Sequence, residues 1–121
     1  MSKAETTSGM TEGTPPGLAI TPDEWREVLD ILRRLIPEYA VWAFGSRVAG
    51  RPRAYSDLDL AIEGDAPLPD ARLDALREAF RESPLPWKVD LIDLALVDPA
   101  FRRRIEAARV CLQKGRGSGP Q

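Results

Sequence analysis

The chain has 121 residues, about one domain, and 43% of them are hydrophobic, a share that supports a modest core. Its 17 basic and 19 acidic residues leave a net charge of −2, so no field of one sign draws in nucleic acid or anionic membrane, and no direct nucleic-acid binding is expected. Histidine is absent and Cys111 stands alone, which excludes Ser-His-Asp and Cys-His catalysis, an intrachain disulfide and zinc cages built on His or Cys.

Residues 1–19 are rich in Thr, Ser, Gly, Glu and Pro and nearly free of apolar side chains, a composition that does not offset the entropy of ordering, and a disordered N-terminal tail is expected there. Order is expected to begin at Thr21-Pro22-Asp23-Glu24: Thr21 caps a helix, Pro22 suits its first position and Glu24 completes a capping box. Trp25, Val28, Leu29, Leu32, Leu35 and Ile36 then recur at helical spacing, and Pro37 ends the helix. Tyr39 to Phe44 is a strand-like apolar run stopped by Gly45.

The second strand carries Leu58, Leu60 and Ile62 in alternation with Asp57, Asp59 and Ala61, so one face is apolar and the other bears acids. Leu73, Leu76, Ala79 and Phe80 mark a helix from about Asp70 to Glu82, closed by Pro84 and Pro86. Trp87 to Ala95 returns as a strand. Asp98 caps and Pro99 opens a last helix through about Ala108, followed by a short apolar piece, Arg109-Val110-Cys111-Leu112. The expected order is α-β-β-α-β-α, an α/β domain over residues 20–113 with a flexible C-terminal tail over 114–121. No run reaches the roughly 20 apolar residues of a membrane span, no secretory h-region is present, and Cys111 reads as a small buried hydrophobe, so a cytoplasmic protein is expected.

A Gly-Ser pair at the end of a buried strand lets backbone N–H groups and a hydroxyl approach a phosphate, and Ser46 suits the cap of a helical turn through Arg47-Val48-Ala49. By itself such a dipeptide is better explained by a plain turn. Ten residues later Asp57 and Asp59 project from one strand face, where two like charges repel unless a cation neutralises them. Asp90 interrupts the apolar run Val89-Asp90-Leu91-Ile92 and needs a partner, whereas Asp93 lies on the opposite strand face and is expected to meet solvent or a basic side chain. Three acids and no histidine call for a hard cation with oxygen ligands, and magnesium fits best. Trp42 and Trp87 lie in or beside strands, where aromatic side chains serve the core.

The block Phe44-Gly45-Ser46-Arg47-Val48-Ala49-Gly50, with Ser56-Asp57-Leu58-Asp59-Leu60 and the later Asp90, resembles the minimal nucleotidyltransferase (MNT) family of the polymerase-beta-like nucleotidyltransferase superfamily. The resemblance covers most of residues 22 to 112. It implies a small mixed β-sheet with flanking helices and a two-metal mechanism: Asp57 and Asp59 hold two magnesium ions, and Asp90 holds one of them and readies the acceptor hydroxyl. Gly45 and Ser46 hold the β and γ phosphates, with Arg47 as an additional phosphate contact; Arg51 and Arg53 are more simply solvated charge. ATP is the nucleotide the family most often uses.

The catalytic core consumes the whole ordered segment, so the acceptor is expected on another protein. Small proteins of this kind resemble the antitoxin of HEPN-MNT toxin-antitoxin systems, which transfers AMP to a tyrosine of an HEPN ribonuclease toxin and silences it. Two alternatives stay open at this point: an MNT-fold antitoxin that neutralises its toxin by binding alone, and a nucleotidyltransferase for small molecules such as aminoglycosides.

Overall fold

A computed structural model describes residues 13–49 and 57–115. Residues 1–12 and 116–121, together with Arg51, Arg53 and the rest of 50–56, lie outside the described residues, as do the side chains of Ser46 and Ala49. The elements run α1 (Pro22–Leu35), β1 (Ala40–Phe44), α2 (Ser46–Ala49), β2 (Leu58–Glu63), α3 (Asp70–Glu82), β3 (Val89–Asp93), α4 (Pro99–Ala107) and β4 (Val110–Lys114).

Helix α1 starts where the capping box places it. The Glu24 amide donates to Thr21 Oγ1 at 3.1 Å, and the Thr21 amide donates to Glu24 Oε1 at 2.9 Å, which satisfies two N–H groups that the helix cannot pair internally. Trp25, Val28, Leu29, Ile31 and Leu32 are buried along one stripe, and the helix ends at Leu35 with Ile36 as its C-cap, immediately before Pro37. Asp98 caps α4 by accepting from the Phe101 amide at 2.9 Å.

The four strands lie in the order β3-β2-β1-β4, with β2 and β3 parallel and the other pairs antiparallel. Strand alternation gives the sheet two different faces. On one, Val41, Ala43, Leu58, Leu60, Ile62 and Leu112 pack with α1 and with Leu76 and Phe80 of α3 to form the main core. On the other, Ala61, Leu94 and Ile105 form a small cluster with Trp42, Phe44, Ile92 and Phe101 packed against it. The nine-residue helix α4 is what covers that second face, so the side chains around it stay half-buried.

Three expectations are corrected. The short apolar piece after α4 is the edge strand β4, paired antiparallel with β1 across a register irregularity between Val41 and Trp42. Its apolar run is brief and flanked by charges, and what makes it a strand is pairing with a segment some seventy residues away in the chain, Val41 with Gln113 and Ala43 with Val110. The packed structure also begins before residue 20: Leu18 is buried, and the Ala19 amide donates to the Arg47 carbonyl at 2.9 Å.

Asp93, finally, meets neither solvent nor a basic side chain. It is 7% exposed, and it accepts from the Leu68 amide at 2.7 Å and the Ala95 amide at 2.9 Å. It thereby ties the entry to α3 onto the end of β3 and closes the turn toward α4. Among the described residues no helix is long and apolar enough to cross a membrane.

Replacing Asp93 with Ala strands the buried Leu68 amide and removes the partner of the Ala95 amide, so Asp93→Ala is expected to lower unfolding stability by about 2 kcal/mol with the urea slope unchanged. An equilibrium urea titration of both proteins checks this, and a loss below about 0.5 kcal/mol contradicts the assigned role.

Candidate active site

Gly45 makes the turn from β1 into α2 with φ +86°, a left-handed conformation that glycine adopts without steric cost. The space its missing side chain leaves is filled: a Cβ on residue 45 would overlap Asp59 Oδ2 and lie 3.2 Å from Asp59 Cγ. The glycine is thus needed twice, for the turn and for the approach of the carboxylate. Helix α2 starts directly at Ser46, so Ser46 is the first residue of that turn, and the Val48 amide closes it onto the Gly45 carbonyl at 3.0 Å.

Register assembles the acids. Asp59 is paired with Asp90 across the parallel β2–β3 ladder and with Phe44 across the antiparallel β1–β2 ladder. Directly paired residues leave the sheet on the same side, so Phe44, Asp59 and Asp90 form one row on the α4 face. Asp57 lies two residues before Asp59, in the same phase.

The crowding is visible in the protonation equilibria. Burial, then the charges of Asp90 and Asp57, push the Asp59 carboxyl up to about 6 from 3.8. Asp90 on the edge strand is raised as well, by desolvation first and then by Asp57, with Lys88 opposing the shift.

Among the described residues these oxygens do not close a ready-made cage of three ligands around one point. They nevertheless suit a divalent cation by chemistry: Asp59 and Asp90 are register partners on one sheet face with Asp57 in the same phase, and hard carboxylate oxygens gathered in a partly desolvated place are the donors such a cation takes.

The acids open onto a cleft of about 800 Å³ that wraps the edge strand β3. Phe44, Asp59, Asp90, Ile92 and Phe101 line it on the α4 side, and Arg77, Arg81, Trp87 and Lys88 line it toward α3. Sequence reading missed the two phenylalanines and the basic rim. A signal for Phe44 was present, since it shares the strand phase of Trp42 and opposes that of Val41 and Ala43. The i, i+4 spacing of Arg77 and Arg81 on α3 was likewise legible, though nothing in it pointed toward the acids.

Arg47 is not brought into this group. It is 6% exposed, its Nη1 donates to the Ala19 carbonyl at 3.0 Å, and its guanidinium lies 4.6 Å over the Trp87 ring. These contacts are structural, because the turn of α2 carries this side chain under the segment that precedes α1. Trp87 belongs to the main core, as expected. Trp42 is held on the α4 face, where its Nε1 donates to Glu63 at 2.9 Å and the Arg109 guanidinium stacks 3.7 Å from its ring.

A family model described as nucleotidyltransferase domain matches residues 25–113. The chain is 50% identical, over 97 residues, to a Haemophilus influenzae protein named probable protein adenylyltransferase MntA, with 80% of this chain and 85% of that protein covered. It is also similar to two crystal structures, one of a toxin-antitoxin with AMP-PNP and one of a mutant of the toxin-antitoxin MntA-HpeT. The first has a TM-score of 0.63 at 24% identity and the second 0.62 at 22%, each over 75% of this chain and 73% of the other. At those identities the two structures speak for the fold.

Gly45→Ala forces a side chain into the space of the Asp59 carboxylate. It is expected to cost about 1 to 2 kcal/mol of stability and, through displacement of Asp59, about a hundredfold in turnover. Turnover equal to the parent's in a nucleotide-transfer assay contradicts the packing argument. Because the folded chain holds a proton at Asp59 more tightly than the unfolded chain, stability without metal falls as pH rises from about 4 to about 6. Asp59→Asn is expected to flatten that slope and to raise Tm at neutral pH, and magnesium is expected to raise the Tm of the parent more than that of the variant. Thermal melts across pH with and without magnesium check both, and parallel curves for the two proteins contradict them.

Proposed function

The chain belongs to the nucleotidyltransferase-domain family, and on that premise we propose that it transfers AMP from ATP to a tyrosine hydroxyl of a partner protein. The partner is an HEPN-type ribonuclease toxin, and the transfer makes this chain its antitoxin. The observation that carries the reading is the row in which Asp59 and Asp90 are register partners, with Gly45 turning away from the carboxylate it accommodates. Support comes also from the protein adenylyltransferase name of the half-identical relative and from the toxin-antitoxin structures that share the fold.

The residues divide the work. The backbone at Gly45 and Ser46 would hold the β and γ phosphates at the turn that leaves β1. Asp57, Asp59 and Asp90 are the residues that would hold magnesium, and when bound it would supply positive charge beside the triphosphate and the acceptor hydroxyl. Asp90, on the open edge strand, orients the acceptor hydroxyl and takes its proton at a carboxylate oxygen. The acceptor oxygen forms a bond to the α phosphorus, the bond from that phosphorus to the bridging oxygen breaks, and pyrophosphate leaves in line.

Co-expression with the neighbouring gene product, followed by intact-mass measurement, tests this. The partner is expected to gain mass in steps of one adenylyl group. Asp57→Asn combined with Asp59→Asn is expected to remove the gain, lowering the rate at least about a hundredfold. A partner that is neutralised at unchanged mass, or one neutralised equally well by the double variant, contradicts the enzymatic reading in favour of binding alone.

A further inference from the structure

The row of side chains that contains the acids continues into an aromatic pair. Phe44 stands beside Asp59 by register, and Phe101, in the first turn of α4, meets Phe44 edge to face with ring centroids 6.2 Å apart and planes at 82°. Two core phenylalanines ordinarily bury each other fully. These two remain half-buried, and with Ile92 they line the cleft that also holds Asp59 and Asp90. Apolar ring surface next to carboxylates suits a ligand that is flat and apolar along its sides and ends in a hydroxyl.

We propose that Phe44 and Phe101 form the acceptor subsite and select a phenol, the side chain of tyrosine, over an aliphatic hydroxyl. This rests on the adenylyltransferase reading given above. In-line displacement puts the acceptor oxygen and the departing pyrophosphate on opposite sides of the α phosphorus. Gly45 lies one residue beyond Phe44, past the end of β1, whereas Asp59 and Asp90 are level with Phe44. Pyrophosphate held at the Gly45–Ser46 turn therefore leaves over the strand ends, and the acceptor enters from the α4 side, where Phe101 and Ile92 stand.

A phenol ring resting on these two rings delivers its oxygen to the acids at its far end. The short side chains of serine and threonine cannot lie on the rings and reach the acids together. Phe101 is the specificity-determining member, because Phe44 also belongs to the strand that builds the sheet.

The test uses the full chain with magnesium and AMP-PNP, the aromatic ring resonances observed by NMR, and N-acetyl-tyrosinamide as probe against N-acetyl-serinamide. Tyrosinamide is expected to shift the Phe44 and Phe101 resonances at saturable concentration, and serinamide to leave them in place. Phe101→Ala is expected to weaken tyrosinamide about tenfold with AMP-PNP affinity unchanged, the equivalent of one lost aromatic contact. Phe101→Leu keeps apolar volume and carries the same test if the alanine variant does not fold.

Equal binding of the two probes overturns the inference. So does a Phe101 variant that weakens AMP-PNP instead of tyrosinamide, because the rings would then hold the base. If either occurs while the partner protein still gains adenylyl mass, the adenylyltransferase reading stands and the subsite assignment falls. A partner that gains no mass removes the reading itself.

Discussion

The carboxylate of Asp59 occupies the space where a side chain on residue 45 would be. That contact fixes much of the rest. It requires glycine at the end of β1, and it sets the direction in which the chain leaves the strand for α2. It also places a partly desolvated acid against the turn that can cradle phosphate. Strand register then supplies the neighbours, Phe44 on one side and Asp90 on the other, without any further device.

The arrangement works against the stability of the chain without metal. Burial first, and then the neighbouring carboxylates, raise the proton affinity of Asp59 and Asp90, so at neutral pH the fold carries an electrostatic cost that the unfolded chain lacks. The main core bears that load on the opposite face of the same strands. Val41, Ala43, Leu58, Leu60 and Ile62 are almost completely buried there, each large side chain contributing about 1.5 to 3 kcal/mol. Alternation along β2 thus separates the two faces residue by residue: even positions hold the sheet on α1 and α3, and odd positions face α4, with Asp59 among them.

How much of this was legible in the chain follows from how local each signal is. The ends of α1, α3 and α4 were readable because caps and prolines act within one turn: Thr21 with Glu24, Pro22, Asp98 with Pro99. The acid face of β2 was readable because a period of two needs no partner to be seen. Strand β4, the backbone contacts of Asp93 and the burial of Arg47 on Trp87 were not readable, since each depends on a segment distant in sequence. Phe101 shows the same limit. Its position in a helix gave no sign that the ring would meet Phe44 beside the acids.

On the proposed function, the sheet gathers Asp57, Asp59 and Asp90 to hold divalent metal with a nucleotide at the Gly45 turn. The most direct measurement is a crystal of the chain grown with manganese and AMP-PNP, with the metal located by its anomalous scattering. The account predicts manganese between these three carboxylates and the triphosphate against Gly45 and Ser46, both lost in a crystal of the Asp57→Asn and Asp59→Asn double variant. Manganese and nucleotide bound away from the acids, or bound equally in the double variant, would contradict it.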